Sequence, residues 1–260
     1  MSNNLVYIHP KAHIGKNVTI EPFSYIGEDV VIGDNCIIGP NVTIKSGSRI
    51  GNQCQIYPGA VIGGEPQDLK FEGEPSTVTI GDDVIIRECV TINRGTALDR
   101  GDTKIGNRVV LMAYTHIAHD CIIGDDVILA NSVQMAGHVH IGDFAFLGGT
   151  TAVHQFVKIG GHSMISGGSL VRKDVPPYVT AARDPLSYMG VNSIGLRRRG
   201  FNNDKINELQ DIYRVFYVSG LNNSDALEKI KTELAPTTER DEIIRFIEDS
   251  SRGLMRGGKE

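Results

Sequence analysis

The feature that most constrains the fold of this 260-residue chain is an aliphatic residue that recurs every six positions. The first uninterrupted run contains Ile8, Ile14, Ile20, Ile26, Ile32, Ile38, Ile44, Ile50, Ile56 and Ile62. The period resumes in phase at Ile80, slips by one residue between Ile92 and Ile105, and then continues to Val171. A hexapeptide period is typical of a parallel β-helix, whose coils bury their interior only by stacking on one another.

A second column of small side chains supports this prediction. Four residues after successive aliphatic positions come Ala12, Val18, Ser24, Val30, Cys36, Val42, Ser48, Cys54 and Ala60, and later Val109, Thr115, Cys121, Val127, Val133 and Val139. Large and small side chains that alternate inward can fill a narrow prism without voids. The sequence resembles the left-handed hexapeptide-repeat family, which implies three hexads, and therefore 18 residues, in each coil of a three-sided prism.

The four cysteines follow the same pattern. Cys36, Cys54 and Cys121 lie in the small column, and Cys89 comes one residue before it. No C-x-x-C pair occurs, so we predict reduced thiols with a structural role.

The chain divides into two predicted domains. Residues 1–185 form the β-helix, interrupted by two loops at 63–79 and 93–104, and Pro176 and Pro177 are expected to end its ladder. From 186 to 260 the apolar spacing becomes helical, which predicts a small α-helical domain. Its last helix is predicted to begin with Thr238 as N-cap, since Asp241 follows three residues later.

Composition excludes several classes of function. The net charge of −5 argues against nucleic-acid binding driven by overall charge. No stretch of about 18 apolar residues is present, so no membrane span is expected. The N-terminus has neither the charged nor the apolar region of a signal peptide, which predicts a cytoplasmic protein.

Histidines concentrate on one predicted edge of the prism. With 18 residues per coil, the hexads that begin at Ile117, Met135 and Val153 share a face, at a spacing of about 4.8 Å. The edge then carries His116, His119, Asp120, Gly137, His138, His154 and Gln155. The other histidines in outward positions, His9, His13, His140 and His162, are predicted to be solvated side chains without a chemical role.

Two chemistries are open to such a cluster. His116, His119 and His138 are candidate zinc ligands if their nitrogens converge on one point. Gly137, however, lies above His119, where a bare backbone N–H favours an oxyanion over a metal. Asp120 can orient the His119 ring, and the column contains no serine or cysteine nucleophile. The residues therefore favour a general base that acts on a bound hydroxyl.

Several motifs outside the hexads occur together in one order: QDLK (Gln67–Lys70), HIAHDC, AVHQF, DVPPY and GLRRRGF (Gly195–Phe201). With the repeat, this set resembles the UDP-N-acetylglucosamine acyltransferase family of lipid A biosynthesis. The resemblance covers nearly the whole chain. It implies a homotrimer, with sites between neighbouring prisms, that moves an (R)-3-hydroxyacyl group from acyl carrier protein to the 3-hydroxyl of UDP-GlcNAc. It implies no metal and no cofactor.

The resemblance also implies roles for single residues. His119 is the expected general base, Asp120 tunes it, and Gly137 donates the oxyanion N–H. The expected substrate-binding residues are Gln67, Asp68, Lys70, His116, His138, His154 and Gln155, with Asn192, Arg198 and Arg199 reaching the nucleotide sugar or the donor from the end of the prism.

Three further positions, at Asn93, Gly167 and Ile194, bear on substrate recognition in this resemblance. Ile194 and Asn93 depart from the family, which often has an acidic residue at the first of these positions and a histidine at the second, so Ile194 is not expected to make the nucleotide contact of an acidic side chain. Gly167 matches the family's acyl-length ruler, and a glycine there implies a long acyl chain, about C14 or more. The basic residues Arg197–Arg199, Arg172 and Lys173 are expected either to form a solvated face or to dock phosphate and the acidic carrier protein.

Three other interpretations compete with this one. The N-acyltransferase that acts later in the same pathway shares the hexads, but an extra N-terminal domain is expected of it. A zinc lyase of the carbonic anhydrase type would require bound metal and leaves GLRRRGF unexplained. A scaffold without catalysis would be indifferent to loss of His119.

Overall fold

The structure is a computed structural model that describes residues 5–97 and 99–257. Its strands stack into three parallel sheets, which form the three sides of the predicted left-handed parallel β-helix, and a small helical domain follows. Residues 1–4 of the predicted prism, Leu98 of its second loop and residues 258–260 of the helical domain lie outside the described part of the chain.

Each sheet takes every third strand of the chain until the end of the prism. The first sheet contains β1 (Tyr7–Ile8), β4 (Tyr25–Ile26), β7 (Thr43–Ile44), β10 (Val61–Gly64), β13 (Thr91–Asn93), β16 (His116–Ile117), β19 (Gln134–Met135), β22 (Ala152–Val153) and β25 (Leu170–Val171). The second contains β2 (His13–Ile14), β5 (Val30–Ile32), β8 (Ser48–Ile50), β11 (Thr77–Ile80), β14 (Asp102–Ile105), β17 (Ile122–Ile123), β20 (His140–Ile141) and β23 (Lys158–Ile159). The third contains β3 (Thr19–Ile20), β6 (Ile37–Ile38), β9 (Gln55–Ile56), β12 (Ile85–Ile86), β15 (Val110–Leu111), β18 (Ile128–Leu129), β21 (Phe146–Leu147), β24 (Met164–Ile165), β26 (Val179–Ala182) and β27 (Ser187–Val191).

The strands pair as the six-residue period predicts, with each aliphatic residue beside the one three hexads later. Ile8 pairs with Ile26, 18 residues later, and the same step recurs up the prism. The periodic aliphatic residues from Ile26 onward are buried, as are Cys36, Cys54 and Cys121 in the small column, whereas Cys89 lies exposed at a corner. The described cysteines form no disulfide.

The two predicted loops are insertions between successive hexads. Ile62 and Ile92 are direct neighbours in the first sheet although they are 30 residues apart, because the first loop lies between β10 and β11. Ile92 and Ile117 are likewise neighbours across a 25-residue interval that contains the second loop. The slip in the sequence period therefore marks inserted residues and leaves the stacking of the coils intact.

A polar ladder runs along the edge between the second and third sheets. At this edge Asp34, Asn52, Asp82, Asn107, Asp125 and Asp143 stack one above another. In each step the side-chain oxygen of one residue accepts the backbone N–H of the residue one coil earlier, at 2.6–2.9 Å for the pairs from Asp34–Asn52 upward. Asn107 separates the carboxylates of Asp82 and Asp125, which limits like-charge repulsion along the edge.

The expectation that Pro176 and Pro177 end the ladder is wrong. Val175 still bridges Ile159, and β26 adds a further parallel strand beside β24. The prolines occupy a corner, where their lack of an N–H costs no ladder bond. The ladder ends at β27, which pairs antiparallel with β26 and lies within the segment from residue 186 onward that was predicted to be helical.

After the prism, the described residues form four helices, α1 (Ser193–Arg198), α2 (Asn203–Tyr217), α3 (Asn223–Glu233) and α4 (Thr238–Glu248). The N-cap of α4 is Thr237 and not Thr238, because the Thr237 hydroxyl accepts the Arg240 N–H and its backbone is extended. No helix in the described ranges is both long and apolar enough to cross a bilayer.

The helical domain and the C-terminal segment are bonded to the top of the prism. The Tyr213 hydroxyl donates to the Pro177 carbonyl, and the Tyr178 hydroxyl donates to Glu242. Asp174 is fully buried and accepts the Lys158 N–H at 2.8 Å and the Ser250 hydroxyl at 2.7 Å. Asp174 therefore fixes the C-terminal segment beside β23, next to the histidine-bearing edge.

Candidate active site

The predicted histidine column exists at the edge between the first and second sheets. β16, β19 and β22 pair in register, so the corners that follow them place His119, Gly137 and Gln155 in one column. The Gly137 backbone lies against the His119 ring, and a Cβ atom there would come within 2.7 Å of ring atoms Cε1 and Nε2. Only glycine leaves room for this ring position.

His119 and Asp120 form a buried pair. His119 Nδ1 and Asp120 Oδ2 are 2.8 Å apart, and the two side chains are 12% and 0% exposed. Thr96, from the second loop, donates its backbone N–H to Oδ1 at 3.0 Å and its hydroxyl to Oδ2 at 2.7 Å. Because the carboxylate accepts from Nδ1, the His119 Nε2 is left with a lone pair that can take a proton.

The pKa of Asp120 is set by opposing effects. Burial alone would raise this pKa, but the hydrogen bonds from His119 and Thr96 together outweigh burial and hold it below its ordinary value. The carboxylate therefore stays ionised at neutral pH and is available to stabilise an imidazolium on His119.

A second histidine–carboxylate pair lies beside the first. His138 Nδ1 is 2.8 Å from Asp99 Oδ2, and the His138 ring stacks on Phe156 with ring centroids 4.4 Å apart. The His138 and His119 rings pack edge to face, with their centroids 5.0 Å apart. The tie to Asp99 and the stack on Phe156 fix the second ring relative to the first.

These groups open into a cavity of about 1010 Å³. Of the residues predicted to bind substrate or catalyse, it is lined by Gln67, Asp68, Lys70, His119, His138 and Gln155. Sequence reasoning missed Thr96, Asp99, Arg100, His140, Lys158 and Ser251, which line the same cavity. The first loop thus reaches the histidine edge, as expected of a ligand-binding loop on a rigid scaffold.

Two predicted binding residues, His116 on β16 and His154 directly after β22, lie on the same coils as the histidine column. His116 Nδ1 is 2.7 Å from the Thr91 hydroxyl, and burial, with a smaller effect from His119, lowers the pKa of His116. His154 Nδ1 is 3.2 Å from the Gln155 carbonyl oxygen. Neither side chain is among those that line the cavity.

The remaining predicted binding residues lie elsewhere in the chain. Asn192, Arg198 and Arg199 line a separate cavity of about 770 Å³ beside the third sheet, with an apolar wall formed by Ile128, Phe146 and Met164. A single chain therefore does not bring these three residues to the histidine edge. Asn192 caps α1: its amide oxygen accepts the Gly195 N–H and its amide nitrogen donates to the His162 carbonyl.

The three positions singled out by the resemblance have distinct surroundings. Gly167 lies exposed at the corner between β24 and β25, where a Cβ would come within 3.0 Å of the Gly149 carbonyl oxygen. Ile194 is exposed on α1 and lines the second cavity. Asn93 is buried at the base of the first loop, where its amide nitrogen donates to the Glu65 carbonyl.

The prediction that His140 and His162 are merely solvated is wrong. His140 lines the histidine cavity, and burial, then the charges of Arg100 and Lys158, lower its pKa. His162 stacks between Phe144 and Tyr178, with burial lowering its pKa to about 4. Outward hexad positions are solvated only where no loop, helix or C-terminal segment packs over them. The six-residue period does not show which positions are covered in this way.

A metal site is the alternative use of the cluster. His119, Asp120 and His138 each offer an atom within 4.8 Å of the others. Yet the Nδ1 atoms of both rings already bond carboxylates, and both Asp120 oxygens accept hydrogen bonds from Thr96. Only the Nε2 atoms stay free, which is fewer than the three or four ligands that zinc requires.

Comparison with known proteins gives consistent matches. Residues 174–255 match a family described as Udp N-acetylglucosamine O-acyltransferase, domain 2, and residues 11–46 and 102–137 match the bacterial transferase hexapeptide repeat. An acyl-acyl-carrier-protein–UDP-N-acetylglucosamine O-acyltransferase from Aquifex aeolicus is 55% identical over 195 residues, which is 75% of each chain. One of the same name from Trichlorobacter lovleyi is 50% identical over 195 residues, 74% of this chain and 75% of that one.

Solved structures agree over the full length. The UDP-N-acetylglucosamine acyltransferase from Bacteroides fragilis has a TM-score of 0.96 and 52% identity, and the match covers 98% of this chain and 100% of that one. The one from Francisella novicida has a TM-score of 0.96 and 40% identity, over 100% and 95% of the two chains.

Substitution Asp120→Asn tests the buried pair. We expect the free energy of unfolding at pH 7 to fall by about 1–3 kcal/mol, because an amide replaces a charged acceptor of several hydrogen bonds. Since the folded-state pKa of Asp120 is below its ordinary value of 3.8, its contribution is complete above that pH and is lost as pH falls through the folded value. Urea unfolding from pH 7 down to pH 3 measures this. The difference in the free energy of unfolding between variant and wild type should narrow below about pH 3.8.

The matched control is Asp126→Asn, an aspartate at an equivalent left-handed corner whose partner is the exposed Arg108. We expect a much smaller fall in the free energy of unfolding for Asp126→Asn than for Asp120→Asn. An equal loss in both variants, or a gap at Asp120 that does not change with pH, would contradict the assignment.

Proposed function

The chain belongs to the UDP-N-acetylglucosamine O-acyltransferase family, and we propose that it uses His119 as the general base in this transfer. An (R)-3-hydroxyacyl group moves from acyl carrier protein to the 3-hydroxyl of UDP-GlcNAc, the first step of lipid A biosynthesis. The observation that carries the proposal is the His119–Asp120 pair at 2.8 Å, which leaves Nε2 free in a large cavity. Family membership argues against the N-acyltransferase, zinc lyase and scaffold interpretations.

The proposed reaction has a single proton carrier. His119 Nε2 accepts the proton of the sugar 3-hydroxyl while that oxygen forms a bond to the thioester carbonyl carbon. The carbon–sulfur bond then breaks, and the imidazolium returns its proton to the departing thiolate. Asp120, held ionised by Thr96, stabilises the imidazolium in between.

Gly137 is the proposed oxyanion donor. Within the described chain its backbone N–H donates to no backbone or side-chain acceptor, although the neighbouring Ala136 and His138 amides donate to Val153 and His119. An unused N–H beside the base is what a developing oxyanion needs. The close packing of this backbone on the His119 ring keeps both groups within reach of one reacting carbon.

The cavity residues are the proposed sites of sugar recognition. Gln67, Asp68 and Lys70 present polar groups from the first loop, and His138 and Gln155 present theirs from the histidine edge of the prism. We assign the nucleotide sugar to these residues, with His116 and His154 at the adjoining face of the first sheet. The reaction requires no metal or cofactor in this proposal.

We further propose that the enzyme is a homotrimer whose sites are shared between chains. Asn192, Arg198 and Arg199 cannot reach the histidine edge of their own chain, because they line the cavity beside the third sheet. In a trimer of prisms, this cavity of one chain can face the histidine edge of the next. Arginines there suit the nucleotide phosphates, and the apolar wall suits the acyl chain. Both proposed substrates are cytoplasmic, so we propose this location for the enzyme.

Substitution His119→Gln tests the base. Glutamine can still donate to Asp120 but cannot accept and return a proton, so we expect kcat to fall by about 100-fold or more. The measurement is ester formation from UDP-GlcNAc and hydroxyacyl carrier protein, with circular dichroism to establish folding. His13→Gln, on an exposed strand far below the cavity, should keep wild-type activity. A folded His119→Gln enzyme with full activity would refute the general-base role.

Substitution Gly167→Met tests the proposed acyl-length ruler. The wild type is expected to prefer chains of about C14 or longer, and a side chain at this exposed corner should block the end of the acyl-binding groove that the family resemblance implies, with each methylene worth about 10-fold or more in discrimination. Relative kcat/KM values across donors of increasing chain length should shift toward shorter chains, with Gly167→Ala intermediate. An unchanged preference in both variants would remove Gly167 as the ruler.

A further inference from the structure

Beyond the histidine edge, one flank of the cavity is basic. His140 on β20 and Lys158 on β23 are register partners on the outward face of the second sheet. Arg100 reaches them from the second loop, with its Nη1 3.5 Å from His140 Nε2. All three side chains line the cavity that contains His119. We call these three residues the Arg100 cluster.

The two cations of the cluster are held by neutral acceptors. Arg100 Nη2 donates to the Asp120 carbonyl oxygen at 2.8 Å, and Lys158 Nζ donates to the Asp249 carbonyl oxygen at 2.9 Å. Among the ion pairs of the described residues, none includes Arg100 or Lys158. Their positive charge is thus oriented by the backbone and not cancelled by a carboxylate.

One carboxylate of the cavity, that of Asp99, is bonded to His138. Asp99 is adjacent to Arg100 in sequence, but its Oδ2 is 2.8 Å from His138 Nδ1. Burial, then the charges of Arg100 and Lys158, lower the pKa of His140, and Asp99 opposes them with a smaller effect. A neutral His140 still presents a ring nitrogen to a ligand.

The C-terminal segment closes this flank. Ser251 lines the cavity beside Lys158, and the segment is fixed by the bonds of Asp174 and by the Lys158–Asp249 contact. The cluster therefore lines one flank of a pre-formed cavity, with Arg100 and Lys158 held in place as donors. Arginine and lysine in such a setting are the residues that proteins use for phosphate.

We propose that the Arg100 cluster is a phosphate-binding subsite for one of the two substrates, and this proposal rests on the proposed function. The candidate ligands share one chemistry, a phosphate ester close to the reacting atoms. They are the diphosphate of the nucleotide sugar and the phosphodiester of the prosthetic arm on the carrier protein. None of the motifs behind the family resemblance includes Arg100, His140 or Lys158, so the subsite extends the recognition assigned so far.

The test uses charge removal on this flank. Arg100→Gln and Lys158→Gln are measured in two ways: the Kd for UDP-GlcNAc by calorimetry, and the KM for hydroxyacyl carrier protein at saturating UDP-GlcNAc. Lys104→Gln is the matched control, because Lys104 lies in the same outward column two coils below His140, is exposed and does not line the cavity. Arg100→Lys keeps the charge in case the glutamine variant fails to fold.

Loss of one charge-assisted hydrogen bond to phosphate should weaken binding by roughly 10-fold or more. A higher Kd for UDP-GlcNAc supports the subsite and assigns the diphosphate to it. A higher KM for the carrier protein with unchanged Kd supports the subsite and assigns the prosthetic-arm phosphate. Arg100→Lys should raise the same constant, the Kd for UDP-GlcNAc or the KM for the carrier protein, by less than about 3-fold.

Two results would overturn the subsite: both constants unchanged in folded variants, or an equal effect in Lys104→Gln, which would indicate only the general field of the protein. Absence of acyltransferase activity in the wild type would instead refute the proposed function, so the two failures are distinguishable.

Discussion

The stacking of coils at one-strand spacing is the constraint on which the rest of this molecule depends. Each parallel ladder bond fixes a residue above the residue 18 positions earlier, except where a loop is inserted. Because of this register, residues 18 positions apart lie in contact, and Gly137 therefore lies on the His119 ring. A flexible scaffold could not hold a bare backbone and an imidazole at such a distance. The reactive geometry is therefore a product of the repeat itself.

The loops supply what the repeat cannot. Hexad corners give the edge its histidines, but the buried Oδ1 atom of Asp120 takes its hydrogen bond from the backbone N–H of Thr96 in the second loop, while His119 bonds Oδ2. The same loop brings Asp99 to His138 and Arg100 to His140. The rigid prism thus determines where the base lies, while an inserted segment determines its electrostatics and the charge of the surrounding cavity.

The sequence predicted whatever follows from periodicity. Strand positions, the buried aliphatic and small columns, and the stack of His119, Gly137 and Gln155 all derive from the six-residue period and the 18-residue coil. The second-loop contacts were not predictable, because a loop has no period and its path depends on what it packs against. The end of the ladder was misjudged for a local reason, since prolines at a corner remove no ladder bond. The exposure of His140 was also misjudged, because Arg100 of the second loop lies against it and the path of that loop has no period.

We propose that a histidine base on a hexapeptide prism esterifies a nucleotide sugar without help from a metal. The most direct measurement is a transfer assay with UDP-GlcNAc and (R)-3-hydroxyacyl carrier protein, with and without EDTA, and with the product analysed by mass spectrometry and NMR. We expect a 3-O-acyl ester of UDP-GlcNAc, formed at the same rate in the presence of chelator. No ester, or a rate that EDTA abolishes and added zinc restores, would contradict it.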